Sequence, residues 1–402
     1  MRLTVPLALA AVALVAVAGA SARGGDAPGV TSTSVTIGGT VPLSGIAAAY
    51  ASVAKGADAY FKYVNDKGGV NGRKITYKYV DDAYNPAQTV QQTRQLVQQE
   101  NIFVDFNSLG TEQNLAIRSF LNEQKIPQLF VATGASTFGR DGKQFPYTIG
   151  YQTSYIAEGV IYGKYIAKTL PKSKVAVIFQ NDDFGKDLIT GLTKGLGKMK
   201  ITAKEGYDLT ATDVNSQVAK LKASGANTLM IFATPTIAIQ SYVAVNKLGW
   251  KPKIFVNAVS SASNLMKISA ASSSAGTTEG SISIGVYKDP SNPRFKNDAA
   301  IKQYRALMAK YGSGDVTDVY NVYGMAVAYT FVDVLKKAGK NLSRDGILNA
   351  ALHLDEPINP FLLPGIRVHT TPNDRFPITQ AYLQQWHNGG WRLISGVLSA
   401  RG

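Results

Sequence analysis

The sequence of 402 residues contains no cysteine and only three histidines, His353, His369 and His387. Disulfides are therefore impossible, and a chain of this length has enough core to be stable without them. All three histidines lie in the last 50 residues, away from the loops that follow the strands predicted below. Because histidine is the usual base near neutral pH, this distribution argues against a hydrolase or a metalloenzyme. We expect no catalytic residue, no metal and no cofactor.

Known enzyme motifs are absent as well. The sequence has no G-x-S-x-G nucleophile elbow, no H-E-x-x-H zinc motif and no G-x-x-x-x-G-K-[ST] phosphate loop. The segment 191–198 is rich in glycine and lysine, but its spacing differs from that of a phosphate loop. These absences favour a binding protein over an enzyme.

The formal net charge of +15 is spread along the chain. The basic residues are mostly single lysines within periodic helices, and no run contains five or more of them. Nucleic-acid-binding proteins concentrate positive charge on one face and add aromatic residues that stack on bases. The dispersed charge therefore predicts no nucleic-acid partner, although it weakly favours acidic ligands.

The N-terminus has the pattern of an export signal. Arg2 precedes an apolar run from Val5 to Ala20, and Ala20-Ser21-Ala22 supplies the small-x-small pattern of a signal peptidase site. The run is short for a membrane span of roughly 20 residues, and no lysine or arginine cluster follows it. We expect residues 1–22 to be a signal peptide cleaved near Ala22. No cysteine lies at that site to carry a lipid, so we expect a free, soluble periplasmic protein.

Short apolar segments alternate with helical patterns from Val35 onward. The segments are rich in β-branched and aromatic side chains, as buried parallel strands are. The predicted strands are Val35–Thr40, Ile102–Phe106, Gln128–Ala132, Lys174–Phe179, Thr228–Phe232 and Lys253–Val256. Strands that alternate with helices predict the α/β class, with parallel sheets covered by helices on both faces.

The first two helical patterns have clear boundaries. The first carries apolar residues with a 3.6-residue period and ends at Gly68-Gly69. Its apolar face comprises Val53, Ala57, Tyr60, Phe61 and Val64. The second helix is predicted to begin at Asn85, whose side chain can act as N-cap, with Pro86 in the first turn.

The alternation occurs twice, before residue 150 and again from 151 to about 285. The segment 145–151 has the pattern of a strand that crosses between two such halves. A polar segment, 288–293, then leads into helical patterns at 295–311 and 317–338. The last region, 364–400, contains strand-like segments separated by turn residues. The sequence thus predicts two α/β lobes.

Small polar residues fill the loops that follow the predicted strands. In an open parallel sheet, ligands bind at the carboxyl ends of the strands, and helix N-termini there offer free N–H groups to an anion such as a carboxylate. The loops are 42–45, 107–111, 133–137, 181–185, 233–236 and 257–261. Together they predict a ligand cleft, although the same residue types are also simply good turn and cap residues.

Several segments form a recognisable series. In chain order they are Pro42-Leu43-Ser44-Gly45, Gly68-Gly69-Val70-Asn71-Gly72, Asp81-Asp82-x-x-x-Pro86, Gly110-Thr111, Thr133-Gly134-Ala135-Ser136 and Asn181-Asp182-Asp183-Phe184-Gly185. The series resembles the periplasmic substrate-binding proteins of branched-chain amino acid ABC transporters. The resemblance implies the type I periplasmic binding fold, in which two Rossmann-like lobes with parallel sheets are joined by three crossing strands. Lobe one is expected to comprise 32–150 and 288–357, and lobe two 151–287 and 358–402.

The same resemblance implies binding without catalysis. A monomer would bind a small solute between the lobes, close on it and deliver it to ABC permease subunits in the inner membrane. The implied ligand contacts are Gly110, Thr111, Gly134 and Ser136 for a carboxylate, and Tyr50, Phe184 and Tyr320 as aromatic walls. A ligand sensor of the same fold, acting on a signalling partner, is the alternative.

One expected residue is missing from the series. Relatives that bind amino acids usually carry an acidic residue in the loop after the strand at 253–256, where it pairs with the ligand ammonium. Here residues 257–263 contain no acid, and a buried ammonium without a counter-charge costs on the order of several kcal/mol. Either Asp182 or Asp183 replaces it, with Asp183 included in the predicted site, or the ligand has no ammonium. The second case indicates an aromatic or aliphatic carboxylate or an amide.

Overall fold

Two separate sheets organise the computed structural model, which describes residues 27–399. The predicted signal peptide, residues 1–22, lies outside the described residues, so its cleavage stays a prediction. Within the described part of the chain, no helix combines the length and the apolar character that crossing a membrane requires. Helices connect the strands of each sheet, and the predicted α/β class with two lobes is confirmed.

The first sheet belongs to lobe one and has five parallel strands in the order β2-β1-β3-β4-β5. The strands are β1 (Ser34–Val41), β2 (Lys74–Asp81), β3 (Asp105–Phe106), β4 (Gln128–Val131) and β5 (Thr148–Gly150). The helices are α1 (Ala51–Asp66), α2 (Pro86–Gln98), α3 (Thr111–Glu123) and α4 (Thr137–Arg140). Every residue of β4 is buried, which explains why this strand is a short apolar run without alternation.

The second sheet belongs to lobe two. Its parallel strands are β6 (Val175–Gln180), β7 (Ile201–Tyr207), β8 (Thr228–Phe232), β9 (Lys253–Val256) and β10 (Ile282–Gly285). The helices are α5 (Tyr155–Thr169), α6 (Asp183–Leu196), α7 (Asn215–Ala223), α8 (Pro235–Lys247), α9 (Ser263–Ser272) and α10 (Ala275–Thr278).

The chain after β10 contributes to both lobes. Helices α11 (Ala299–Tyr311), α12 (Val319–Ala338) and α13 (Arg344–Ala351) return to lobe one, where the ring of Phe331 lies 6.0 Å from that of Phe61 on α1. A short ribbon of β11 (Asp355–Glu356) and β12 (Val368–His369) follows. Strands β13 (Gln380–His387), β14 (Gly390–Leu393) and β15 (Leu398–Ser399) then extend the second sheet. Its order is β14-β13-β10-β9-β8-β6-β7, with β15 beside β13. These last strands pair antiparallel, so this sheet is mixed and not wholly parallel as predicted.

The chain passes between the lobes three times. The first passage follows β5, the second follows β10, and the third lies between α13 and β13. A bridge between Tyr287 and Leu362 joins the second passage to the third. The third passage also contacts lobe one, since Arg375 donates to the Pro146 carbonyl at 2.8 Å. The chain therefore enters the lobe-two sheet only at β13.

The sequence analysis did not predict two strands that lie at sheet edges. Strands β2 and β7 each lie at the edge of a sheet, and exposed residues, lysines among them, alternate there with less exposed ones. Such alternation weakens the apolar signal by which buried strands are recognised. The segment 145–151, predicted to cross between the lobes, instead forms edge strand β5 of the first sheet before the chain leaves it.

The predicted boundaries and apolar face of the first two helices agree with the structure. Asn85 is the N-cap of α2, since its Oδ1 accepts from the Ala87 N–H at 2.9 Å, and Pro86 is the first helical residue. Helix α1 ends at Asp66, just before Gly68-Gly69. All five residues predicted to form its apolar face are buried.

Candidate functional site

A cavity of about 110 Å³ lies between the lobes, where strands of both sheets end. Lobe one contributes Gly110 from the loop after β3, and lobe two contributes Thr234 and Ala258 from the loops after β8 and β9. This volume is larger than the space that a single water needs. Its size therefore suits a small molecule.

The lobe-one side of the cavity is the N-terminus of α3. The N-cap Gly110 has no side chain, so the N–H groups of the first turn carry no side-chain cap. Gly110 has φ 109°, and a Cβ added there would lie 2.1 Å from the Gln113 Oε1. Only glycine fits this position without strain. The next residue, Thr111, lines the cavity and its hydroxyl lies 2.7 Å from that of Thr133.

Aromatic side chains form much of the wall. The rings of Tyr50 and Tyr320 meet edge to face, with centroids 5.3 Å apart, and Phe184 packs in the same way on Tyr155 at 4.8 Å. All four line the cavity. Burial raises the pKa of Tyr50 and Tyr320 well above the usual value, so both are neutral phenols.

Five of the eight predicted contacts thus meet at one cavity. The other three, Gly134, Ser136 and Asp183, lie outside its lining. The Ser136 N–H donates to Oδ2 of Asp187 at 2.7 Å, and Asp183 is exposed. Gly134 packs against the first passage, where an added Cβ would lie 2.4 Å from the Thr153 carbonyl oxygen.

Several lining residues were missed by the sequence analysis, among them Tyr84, Gln152, Thr153, Tyr155, Glu158 and Asp289. Four of them belong to the first passage or the first turn of α5. Asp289 lies in the segment 288–293, which the sequence marks only as polar. No loop-after-strand rule indicates five of these positions, because they belong to the passages or to α5. Tyr84 does follow a strand, but that strand is β2, which the sequence analysis did not predict.

These findings agree with a comparison against known protein families. The sequence profile of the family described as periplasmic binding protein matches residues 34–390. The chain belongs to this family. Leu/Ile/Val-binding protein homolog 1 of Brucella suis is 28% identical over 322 residues, which are 76% of this chain and 79% of that protein. With some other curated relatives the match spans only about half of the relative's length, 54% in one case.

Solved structures share the fold of this periplasmic binding protein. A branched chain amino acid ABC transporter from Thermus thermophilus with bound valine has a TM-score of 0.79 at 17% identity, over 91% of this chain and 96% of that one. An ABC transporter solute binding protein from R. palustris in complex with benzoate has a TM-score of 0.75 at 16% identity, over the same shares of the two chains. At such identities the likeness concerns the fold alone.

Glu158 stands out in the cavity of this periplasmic binding protein. Its side chain is 1% exposed. Oε1 accepts from the Ala258 N–H and from the Tyr162 hydroxyl, both at 2.7 Å. Burial raises the pKa of Glu158 to about 7, although these two hydrogen bonds act in the opposite direction. A positive group beside this carboxylate would stabilise its charged form.

Hydrogen bonds between the lobes hold this periplasmic binding protein in a closed form. The Tyr320 hydroxyl donates to the Val259 carbonyl at 2.6 Å, and the Thr236 hydroxyl to the Ile46 carbonyl at 2.7 Å. The bond from Ser136 to Asp187, described above, also joins the two lobes. Each connects a lobe-one element to a lobe-two element and would break if the cleft opened.

Proposed function

We propose that this periplasmic binding protein is the solute receptor of an ABC importer. It binds a small amino acid of the branched-chain type between its lobes and delivers it to permease subunits. One observation carries the proposal: strand ends of both lobes meet at a small cavity that has uncapped N–H groups on one side and a buried carboxylate on the other. Relatives named for leucine, isoleucine and valine, and a neighbour of the same fold with bound valine, support it.

The ligand carboxylate binds at the N-terminus of α3 in this proposal. The N–H groups of the first turn are uncapped at Gly110, and the helix dipole adds a partial positive charge there. The hydroxyls of Thr111 and Thr133 form a pair, of which either can be the donor. One hydroxyl can therefore donate to the other while the second donates to the ligand.

The aromatic residues enclose the apolar part of the ligand. Tyr50 and Tyr320 form one wall and Phe184 another, as is common in small-molecule pockets. Ser136 and Asp183 serve closure in this proposal, since each uses its N–H in a bond to the opposite lobe. Gly134 allows the first passage to approach the loop after β4.

A thermal-shift screen tests the proposal. The purified protein is melted with each standard amino acid, with aromatic and aliphatic acids, and with short amides and ureas. A compound that binds only the folded chain adds about 2.7 kcal/mol of stability at 100 times its Kd. For a chain of this size that is a rise of a few degrees in Tm.

Calorimetry then gives the stoichiometry, for which we expect one ligand per chain. Deleting the gene should abolish uptake of the same compound by cells. A screen in which no compound binds with a Kd below about 1 mM would contradict the proposed function.

A further inference from the structure

Glu158 is the buried carboxylate of the cavity that keeps an oxygen free. We infer that Glu158, together with Gln152 and Thr153, binds an ammonium group of the ligand, so that the cleft selects ammonium compounds over the matching plain carboxylates. This inference rests on the proposed function and narrows its ligand class.

Three acceptor atoms near the first passage await a donor. Oε1 of Glu158 is used by Ala258 and Tyr162, but Oε2 accepts no hydrogen bond from the residues that the structure describes. Oε1 of Gln152 and Oγ1 of Thr153 are buried and likewise accept no hydrogen bond from the described residues, although the Gln152 side chain lies beside the Tyr323 hydroxyl. An ammonium group has three donors, which matches these three acceptors in number.

Two other buried acids near the cleft are already engaged. Asp289 also lines the cavity, but its Oδ2 accepts from the Ser263 hydroxyl and its Oδ1 from the N–H and hydroxyl of Ser291. Asp182 caps α6 through Oδ1 and accepts from Gln180 through Oδ2. Each oxygen of these two carboxylates already accepts a hydrogen bond.

The charge of the lining favours a cation. Among the described residues that line the cavity there are two acids, Glu158 and Asp289, and no lysine, arginine or histidine. Tyr50, Tyr155 and Tyr320 add aromatic rings, whose faces attract ammonium groups. The two lining acids would repel a plain carboxylate, and only N–H groups and hydroxyls would offset that repulsion. A zwitterion places its ammonium there and its carboxylate at α3.

Matched pairs of compounds test the inference by calorimetry. The probes are L-leucine with 4-methylpentanoate and L-valine with 3-methylbutanoate, each pair differing only in the ammonium group. If neither amino acid binds, the other amino acids and amines follow, each with its matched ammonium-free analogue. The wild type should bind the ammonium compound at least about thirtyfold more tightly than its match.

Three variants locate the effect. Glu158→Gln should weaken binding of the amino acid at least about thirtyfold. Binding of the plain carboxylate should stay the same or become tighter, because the variant removes a negative charge from the lining. Asp289→Asn, which also removes a lining acid, should keep the preference. Thr153→Val removes one acceptor. It should weaken binding of the amino acid about fivefold without affecting binding of the plain carboxylate. This milder change keeps the test available if Glu158→Gln does not fold.

Each outcome has one meaning. A plain carboxylate that binds as tightly as its amino acid, or unchanged amino acid binding by Glu158→Gln, overturns the inference and leaves the receptor function standing. The inference is also overturned if Asp289→Asn loses the preference for the amino acid while Glu158→Gln keeps it. If no amine, amino acid or carboxylate binds the wild type, the inference and the proposed ligand class both fail.

Discussion

Tyr320 connects the lobes when the cleft is closed. Its hydroxyl donates to the Val259 carbonyl at 2.6 Å, from α12 of lobe one to the loop after β9 of lobe two. The Tyr320→Phe variant lacks this bond in the closed form. In the open form the wild-type hydroxyl binds water instead, so the substitution destabilises the closed form only. A partly buried hydrogen bond of this kind contributes about 1–2 kcal/mol. The ratio of closed to open protein should therefore fall about five- to thirtyfold. The Kd of the ligand should rise by up to the same factor, which is reached when the open form predominates without ligand.

Calorimetry with L-leucine measures the Kd, and small-angle scattering of the ligand-free protein measures its radius of gyration. Tyr304→Phe is the matched control, because the Tyr304 hydroxyl donates to the Val316 carbonyl at 3.0 Å within lobe one. The control should lower the Tm without changing the Kd or the radius. If Tyr320→Phe binds as tightly as the control, the bond does not stabilise closure and the reasoning is wrong.

Three further changes test the fold and the site. Burial raises the pKa of Asp105 to about 7; a raised pKa lowers stability as pH rises from the unfolded value of about 4 to the folded one. The stability of Asp105→Asn relative to wild type, from urea unfolding, should therefore grow by about 4 kcal/mol from about pH 4 to pH 8. A constant difference would contradict this. Asn85→Ala deprives the Ala87 N–H of its acceptor and should cost about 1 kcal/mol of unfolding free energy in the same assay. Gly110→Ala forces a Cβ towards Gln113 at positive φ, so it should lower the Tm and weaken ligand binding, whereas a neutral result would mean that the loop relaxes freely.

Most buried strands were predictable from the sequence because burial on both faces leaves no alternation, although the buried strand β10 was missed. Strand β8 has all five residues buried, and its predicted range Thr228–Phe232 is the observed one. Strand β2, in contrast, depends on its partner: its whole length pairs with β1, from Ser34 opposite Lys74 to Val41 opposite Asp81. That pairing joins residues about forty positions apart, which no local pattern shows.

The site divides in the same way. Gly110 and Thr111 were predictable because they directly follow a buried strand and begin a helix, where ligands bind in parallel sheets. Glu158 was not, because an acid in the first turn of a helix is ordinarily explained by the helix dipole. The position of its carboxylate depends on a hydrogen bond from Ala258, which is 100 positions away in the sequence.

That hydrogen bond bears on the acid missing from the loop after β9. Residues 257–263 contain no acid, yet the Ala258 N–H in this loop binds Oε1 of Glu158 at 2.7 Å. A carboxylate therefore lies against the loop, although it comes from α5. Helix α5 begins directly after the first passage and belongs to lobe two, as does the loop. The hydrogen bond therefore holds the Glu158 carboxylate on lobe two alone. The uncapped N–H groups of α3 belong to lobe one, so a zwitterion that spans the two sites is held by both lobes only when the cleft is closed. A plain carboxylate has no such second attachment, and it should favour closure less strongly.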